Sequence, residues 1–303
     1  MEFKIQSEVL EVQSVTPVQK VDWGVSMVQA PQMWAMTKGD GIKVAVLDTG
    51  VDFNHPDLIG NWVKGVNFTT SDINDVMDRQ GHGSHCAGVI AGTDNDFGIV
   101  GVAPNAKLYG VKVLGDNGSG SINAIVKGID WAIAEKIDII SMSLGTSTDP
   151  GPALHDAIKR ARAAGIVIVA ATGNENTTCG WPAAYPEVIA VGAVDQSFGR
   201  ANFSNFGEAV DVAAPGVDIL STYPGNRYAK LSGTSMATPM VAGVVALVQT
   251  FCRNMGVAAT PDKIVQMITE RSVDMGTAGD DDMFGNGLVN VYRMIKGNND
   301  GLR

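Results

Sequence analysis

The chain has 303 residues, of which 45% are hydrophobic, so it is long enough for one large α/β domain or two smaller ones. Its formal net charge of -10 argues against nucleic acid as a partner, because binding to phosphates needs a basic surface. No continuous apolar run approaches the roughly 18 residues of a membrane span, so no membrane partner is expected.

The start of the chain differs in character from the rest. Residues 1–18 are polar and β-branched without a helical period, and we interpret them as an extended arm before one compact domain at residues 19–303. Glu2, Lys4 and Glu8 interrupt the start, which lacks the apolar stretch of a secretory leader. Three cysteines cannot form a closed disulfide framework, which favours a reducing compartment. We therefore expect a cytoplasmic protein, with a mature secreted form as the alternative.

The body of the chain alternates strand-like and helix-like segments. Short apolar runs rich in β-branched residues predict buried strands at residues 42–47, 108–113, 137–142, 166–171 and 188–194. Apolar residues three and four apart predict a helix from Ile122 to Ile133, and a second helix is predicted at 153–164, ending before Gly165. Residues 234–252 are apolar nearly all round, which predicts a buried helix.

This alternation predicts an α/β fold in a single domain, without internal repeats or linkers. The expected architecture is a doubly wound, mostly parallel sheet with right-handed crossovers and helices on both faces. In such a sheet, ligands bind in the crevice at the carboxyl ends of the strands. Candidate functional residues are therefore sought at that edge.

Three polar residues stand at suitable places for nucleophilic catalysis. Asp48 ends the first strand in VAVLDTG, His82 lies between two glycines in GHGSHCAG, and Ser235 begins the buried helix in SGTSMATP. A serine becomes a strong nucleophile when an imidazole takes its proton and a carboxylate orients that imidazole. The helix start adds unpaired backbone N–H groups where an oxyanion would develop.

Each of these residues also has an ordinary structural reading. An aspartate after a strand can cap a turn, a serine at a helix start is commonly a cap, and a lone histidine is more often structural. The HGSHC stretch also offers a metal cluster of His82, His85 and Cys86, although zinc would need a further ligand that this stretch does not provide.

The order Asp, His, Ser and the surrounding glycines carry a resemblance to a known family. VAVLDTGVDFNHPDL, GHGSHCAG and LSGTSMATPMVAG resemble the three catalytic motifs of the subtilisin-like serine proteases, and the similarity runs from about residue 21 to residue 291. In layout the chain is most similar to the intracellular subtilisins. The resemblance implies a serine endopeptidase that hydrolyses extended or unfolded protein or peptide substrates through an acyl-enzyme, with broad specificity and an apolar preference. A catalytically silent binding module on this scaffold and a metal-dependent hydrolase are the alternatives; a monomer and a homodimer both stay open.

The resemblance also implies binding residues. Asn174 in AATGNEN matches the asparagine whose amide completes the oxyanion hole, although a turn asparagine is its ordinary reading. The two segments that would pair with an extended substrate are Ser143, Leu144 and Gly145 on one side, and Gly118, Ser119 and Gly120 on the other. The first specificity pocket is expected at Ala171 and Gly180 with Glu175 at its rim, and the apolar pocket four residues upstream of the scissile bond at Ile122, Ile125 and Leu144.

A calcium site is implied by the same resemblance. The expected ligands are the side chains of Gln19, Asp57 and Asn95 together with the backbone carbonyls of Thr93, Phe97 and Ile99. An oxygen-only ligand set suits Ca²⁺. The alternative is a solvated polar loop at TDNDFG.

The arm carries the last expectation from the resemblance. In the intracellular subtilisins a short arm lies across the active site and restrains the enzyme until it is cleaved. The Leu-Ile-Pro-Tyr run of that group is absent, and Phe3-Lys4-Ile5 is a loose substitute. We hypothesise that residues 1–18 form a removable inhibitory arm; a disordered or strand-docked terminus is the alternative.

Overall fold

The computed structural model describes residues 2–5, 7–13 and 18–297. Positions 1, 6 and 14–17 of the predicted arm, and 298–303 of the predicted domain, lie outside the described residues. All three cysteines, which lie within the described ranges, are buried and free, so they form no disulfide.

The described chain contains fourteen strands and seven helices. The strands are β1 (Glu2–Lys4), β2 (Glu8–Gln13), β3 (Lys20–Val21), β4 (Lys43–Asp48), β5 (Trp62–Asn67), β6 (Ile99–Val100), β7 (Lys107–Lys112), β8 (Ser119–Ser121), β9 (Ile139–Met142), β10 (Val167–Ala171), β11 (Ile189–Val194), β12 (Val212–Pro215), β13 (Ile219–Tyr223) and β14 (Arg227–Ser232). The helices are α1 (Trp23–Met27), α2 (His82–Ala91), α3 (Ile122–Ala134), α4 (Pro152–Ala163), α5 (Thr234–Asn254), α6 (Pro261–Arg271) and α7 (Val291–Lys296).

A seven-stranded sheet forms the centre of the molecule, in the order β12-β11-β10-β9-β4-β7-β5. Every neighbouring pair in it is parallel. The five strands predicted from apolar runs are β4, β7, β9, β10 and β11, the five inner strands of this sheet between the edge strands β12 and β5. The predicted α/β fold in a single domain is confirmed.

Side chains alternate across β4 because successive residues of a strand point to opposite faces. Val44 and Val46 join the core formed with α2 and α5, whereas Ala45 and Leu47 join the core formed with α3 and α4. Both cores are dominated by fully buried aliphatic side chains. The strand therefore reads as a continuous apolar run, since helices cover both of its faces.

The longest helix, α5, has the length and hydropathy of a membrane span, but 94% of its most apolar window is buried inside the domain. It packs against the α2 helix and against the β9, β10, β11 and β12 strands of the central sheet. Helices that are apolar all round occur in the cores of large proteins as well as in membranes. The burial of α5 accounts for its composition.

The described part of residues 1–18 forms two strands on different parts of the domain. β1 pairs antiparallel with β8, and β2 pairs antiparallel with β14 as the edge of a three-stranded sheet, β13-β14-β2. Just after the arm, β3 pairs in parallel with β6. The chain thus crosses the surface of the domain before it enters the core at α1.

Candidate active site

Asp48 and His82 form a buried pair at the carboxyl edge of the central sheet. Asp48 is the last residue of β4 and His82 the first residue of α2, and neither side chain is exposed to solvent. The Nδ1 atom of His82 lies 2.8 Å from Oδ1 and 2.9 Å from Oδ2 of Asp48. A carboxylate here requires the proton on Nδ1, which leaves Nε2 as the basic nitrogen of the ring.

Burial and charge act in opposite directions on the imidazole. Burial lowers the pKa of His82, but the Asp48 carboxylate and Cys86 together outweigh it, so that the pKa lies well above the usual histidine range. Nε2 is buried and has no hydrogen-bond partner among the described residues. The ring is therefore oriented by its carboxylate and presents an uncommitted base.

Two glycines flank His82 because two other segments approach it closely. At Gly81, where φ is 110°, an added Cβ would lie 2.2 Å from the Tyr223 ring. At Gly83, an added Cβ would lie 2.1 Å from the carbonyl oxygen of Gly50. A side chain at Gly81 would collide with β13, and one at Gly83 with the end of β4 and the residues that follow it. The GHG motif follows from this close packing.

Ser235 lies in the first turn of α5, and its hydroxyl donates to the carbonyl of Ser143 at 3.1 Å. Ser235 and His82 are not hydrogen-bonded in this conformation, in which the Nε2 atom has no partner among the described residues. Rotation of the serine side chain about χ1 would release its hydroxyl from Ser143. Ser235 is 2% exposed, so very little of it contacts solvent.

The backbone at Ser235 is held by contacts that Pro239 makes possible. A proline has no N–H, so the carbonyl of the residue four positions earlier, Ser235, loses its helical partner. That carbonyl accepts a hydrogen bond from Ser143 Oγ at 2.7 Å and from Cys86 Sγ at 3.5 Å. Cys86 Sγ also lies 3.9 Å from His82 Nδ1, so it contacts both α2 and α5 at the site.

Asn174 lies beside the first turn of α5 with a defined amide orientation. Its Oδ1 accepts hydrogen bonds from the backbone N–H and the hydroxyl of Thr234, both at 2.8 Å. Only the oxygen of a carboxamide can accept, so the amide nitrogen lies on the side away from Thr234. Asn174 and Ser235 line the same pocket of about 160 Å³.

The pocket contains the residues expected for the first specificity site. Ala171, Gly180 and Glu175 line it, with Lys4 of the arm among its walls. Glu175 Oε2 accepts from its neighbour Asn174 and from Asn205 Nδ2, both at 3.0 Å. Asn205, which sequence analysis missed, belongs to a distant loop and carries no motif that could have identified it.

The two predicted substrate edges face each other, and the arm lies between them. On one side, the segment Ser143, Leu144 and Gly145 follows β9, and Lys4 and Gly145 exchange two backbone hydrogen bonds of 3.3 Å. On the other side, Ser119 and Gly120 pair with β1 in the β8 strand, and Ile5 N donates to Gly118 O at 3.0 Å. The arm adds a strand to both edges.

Phe3 belongs to the core cluster that contains the residues predicted to line the apolar pocket. Its side chain is 0% exposed and belongs to the same core cluster as Ile125 and Leu144, with Ile122 packed against that cluster. Phe3 is among the largest fully buried side chains of the described residues, although it lies in the predicted arm.

The predicted calcium ligands form a hydrogen-bonded cluster. Gln19 Nε2 donates to Thr93 O at 2.8 Å and to Asn95 Oδ1 at 3.3 Å. Asn95 Nδ2 donates to Oδ1 of the buried Asp57 at 3.0 Å. Two further expected ligands join the cluster through their backbone N–H groups. Phe97 N donates to Asn95 Oδ1, and Ile99 N donates to Asp57 Oδ2.

Tyr228 joins this cluster unexpectedly. Its hydroxyl donates to Asp57 Oδ2 at 2.9 Å, and burial raises the pKa of this tyrosine. Tyr228 lies in β14, far along the sequence from Asp57, and no local pattern identified it. Its position shows that β14 contacts both this cluster and the arm strand β2.

The HGSHC stretch does not form the metal cluster that was considered as an alternative. The Nε2 atom of His85 lies 2.9 Å from Ile219 O and 3.1 Å from Ala229 O, away from His82. Burial lowers the pKa of His85 to about 3, so this ring is neutral. Among the described residues, the acidic, histidine and cysteine side chains close enough to share a metal are Asp48, His82 and Cys86. The first two already hydrogen-bond to each other.

Comparisons with known proteins agree with this geometry. The sequence model of the subtilase family (Peptidase S8) matches residues 39–287. An intracellular serine protease of Paenibacillus polymyxa is 46% identical over 286 residues, which covers 90% of this chain and 86% of that protein. The major intracellular serine protease of Bacillus subtilis (strain 168) is 46% identical over 250 residues, covering 79% and 78%. Subtilisin E of the same strain is 44% identical over 279 residues, covering 90% and 71%.

Proposed function

The chain belongs to the subtilase family and is a serine endopeptidase, and we propose that Ser235 is its nucleophile, His82 its general base and Asp48 the carboxylate that orients the base. The observation that carries this proposal is the buried Asp48–His82 pair with its unpartnered Nε2, which Cys86 links to the first turn of α5 through contacts with His82 and the Ser235 carbonyl. A catalytically silent module would not need an oriented, unpaired base at that place.

The proposed reaction begins with rotation of the Ser235 side chain from Ser143 to His82. His82 Nε2 takes the hydroxyl proton as Oγ bonds to the substrate carbonyl carbon, and Asp48 stabilises the imidazolium. The backbone N–H of Ser235 and the amide of Asn174 donate to the oxyanion. The imidazolium then protonates the leaving amine as the C–N bond breaks, and water hydrolyses the acyl-enzyme by the reverse proton path.

The substrate is proposed to be an extended segment of protein or peptide. The backbone edges at Gly118–Gly120 and Ser143–Gly145 can pair with such a segment on both sides, as the arm shows by occupying them. Main-chain hydrogen bonds confer little sequence preference, so specificity falls to the pockets. The pocket that holds Phe3 is apolar, which supports a broad preference for apolar side chains.

Replacement of the nucleophile tests this assignment. Ser235→Ala is expected to lower kcat on casein or a chromogenic peptide by about six orders of magnitude, because the serine and histidine act as one unit. It should also abolish labelling by a fluorophosphonate. Ser197→Ala, in a loop away from the site, is the control and should behave as wild type. Wild-type turnover by Ser235→Ala would refute the mechanism.

We further propose that residues 1–18 form an inhibitory arm that is removed by cleavage. Support comes from the arm's substrate-like pairing at Gly118 and Gly145 and from the burial of Phe3 in the apolar pocket. Deletion of residues 1–18 should abolish any lag in peptide hydrolysis. The full chain should instead gain activity as its N-terminus is cleaved off, and mass spectrometry can follow that cleavage. Equal initial rates without cleavage would contradict the proposal.

Calcium is proposed to bind at the cluster around Asp57. One carboxylate, two carboxamides and nearby backbone carbonyls are the donor types that Ca²⁺ prefers. Rotating the terminal amides of Gln19 and Asn95 by half a turn would present their oxygens toward Thr93 and Asp57, where the nitrogens now donate. The ion would supply structural stability at the root of the arm, not a chemical step. Calorimetric titration of the full chain with Ca²⁺ tests the site, with Asp57→Asn as the variant that should not bind.

The protein is proposed to act in the cytoplasm. Two relatives are named intracellular serine proteases, and the three cysteines are free, as expected in a reducing compartment. Fractionation of the source cells with an antibody against the chain would test this, and recovery mainly from the medium would contradict it. Sedimentation analysis would distinguish a monomer from a homodimer.

A further inference from the structure

The helix that carries His82 begins without a capping side chain of its own. Its N-cap residue is Gly81, which makes no side-chain cap hydrogen bond. The first N–H groups of a helix have no intrahelical partner and need acceptors from elsewhere. Here Thr49 Oγ1 accepts from Gly83 N at 3.0 Å and Asp78 Oδ2 accepts from Ser84 N at 2.8 Å. Gln80 Oε1 also accepts from His82 N at 2.7 Å, so three residues outside the helix cap it.

Asp78 is 1% exposed and its carboxylate accepts five hydrogen bonds. Oδ1 accepts from Thr49 Oγ1 at 2.9 Å, Gln80 N at 3.0 Å and Gly81 N at 2.8 Å. Oδ2 accepts from Ser84 N at 2.8 Å and Ser84 Oγ at 2.7 Å. A buried carboxylate with this many donors is held in one orientation, because hydrogen bonds fix the position of both of its oxygens.

Thr49 connects the Asp78 carboxylate to Asp48. Its backbone N–H donates to Asp48 Oδ1 at 2.7 Å, and its hydroxyl joins Asp78 to the Gly83 N–H. Its carbonyl accepts from the buried ammonium of Lys112. The end of β4 and the first turn of α2 are thus cross-linked by one threonine hydroxyl and one carboxylate.

We propose that Asp78 and Thr49 are positioning residues for catalysis, forming a shared cap that fixes the first turn of α2 against the end of β4. This inference rests on the proposed role of His82 as the base. The cap has two effects on that role. The first effect is to fix the His82 ring relative to Asp48. The second is electrostatic: the positive end of the α2 dipole disfavours an imidazolium at the helix N-terminus, and the negative charge of Asp78 offsets that effect.

The energetic consequence falls on the transition state. Substrate binding uses the edges at Gly118–Gly120 and Ser143–Gly145, which make none of the five bonds to Asp78. Proton transfer instead depends on the distance and angle between His82 and the nucleophile, and small displacements there are costly. Loss of the cap should therefore lower kcat with little change in KM.

Asp78→Asn and Thr49→Val, each made in the full chain, test the proposal. After each variant has been activated, its kcat and KM are measured on a chromogenic peptide. The asparagine places an NH₂ group against existing donors, and the valine keeps the shape of threonine without its hydroxyl. Each variant is expected to lower kcat by about 10- to 100-fold while KM changes less than about threefold. Thr49→Ser, which retains the hydroxyl, should restore a kcat near that of wild type.

The matched control is Asp195→Asn. Asp195 also accepts several local hydrogen bonds, from Ser197 N, Ser197 Oγ and Gly199 N, but in a loop that makes no contact with His82. The Asp195→Asn variant should have the kcat of wild type. Because Asp78 and Thr49 form one link, the double variant should lose about as much as the worse single variant, not the product of the two.

Several outcomes would overturn the proposal. Asp78→Asn that melts earlier but keeps the wild-type kcat would show a structural role alone. If that variant does not fold, equal kcat values for Thr49→Val and Thr49→Ser would refute the positioning role instead. Failure of the proposed mechanism can be distinguished from failure of the positioning role. Ser235→Ala would retain turnover only if the mechanism itself were wrong.

Discussion

Phe3 offers the sharpest single test of the inhibitory arm. Its side chain is 0% exposed and belongs to the same core cluster as Ile125 and Leu144, which we propose to line the apolar pocket. Phe3→Ala keeps the backbone hydrogen bonds of β1 with β8 and Gly145 but removes the ring from the pocket. The substitution therefore weakens the docking of the arm without touching the proposed catalytic residues.

The size of the effect follows from the burial of the ring. Complete burial of a phenylalanine side chain contributes about 1.5–3 kcal/mol. Since 1.4 kcal/mol corresponds to a factor of ten, the equilibrium between docked and open arm should shift by roughly 10- to 150-fold toward the open form. The initial rate of the uncleaved chain should rise by the same factor, up to the limit set by the chain without residues 1–18.

Two measurements on the full chain separate docking from self-cleavage. The first is the initial rate and lag of freshly purified Phe3→Ala on a chromogenic peptide. The second is the affinity for a fluorescent peptide in the Ser235→Ala background, which should not cleave its own arm. Leu10→Ala is the matched control, because Leu10 lies in β2 of the same arm but is 46% exposed.

The reasoning would be refuted by a Phe3→Ala chain with the lag and initial rate of wild type. It would equally fail if the peptide bound Ser235→Ala with the same affinity whether or not Phe3 was replaced. An effect of Leu10→Ala as large as that of Phe3→Ala would locate the restraint at β2 and not in the apolar pocket.

Three further predictions concern the oxyanion, the base and calcium. Asn174→Ala should lower kcat by about 100- to 1,000-fold at nearly constant KM, the loss measured for the corresponding donor in a subtilisin. His82 must be neutral to accept a proton and its pKa is raised by Asp48, so kcat/KM should fall on acidification with a midpoint above pH ~6.5. Asp48→Asn should move that midpoint to lower pH and slow kcat by about 10⁴-fold. Removing calcium should lower the melting temperature of wild type and of Asp94→Asn but not of Asp57→Asn, because only a folded-state ligand stabilises.

Each of these predictions has a result that contradicts it. An Asn174→Ala change expressed wholly in KM would assign the amide to ground-state binding. A pH midpoint unmoved by Asp48→Asn would show that another group titrates. Equal sensitivity of the Asp57→Asn and wild-type chains to chelation would place the ion elsewhere.

Local patterns in the sequence predicted the five inner strands of the central sheet and the helices α3, α4 and α5. The strands β4, β7, β9, β10 and β11 were readable because both faces of each are covered by helices, which demands continuous apolar runs. The residues Asp48, His82 and Ser235 were readable because each stands directly at the end of a strand or the start of a helix. The parallel sheet then places those ends along one edge.

Contacts between distant segments were decided only by the tertiary structure. The cap that Asp78 and Thr49 form on α2, the hydrogen bond from Tyr228 to Asp57 and the docking of Phe3 join residues far apart in the chain. Such pairings depend on how elements approach one another in space. No periodicity or turn signal within a few residues records them, so the sequence could name the reactive side chains but not the residues that hold them in place.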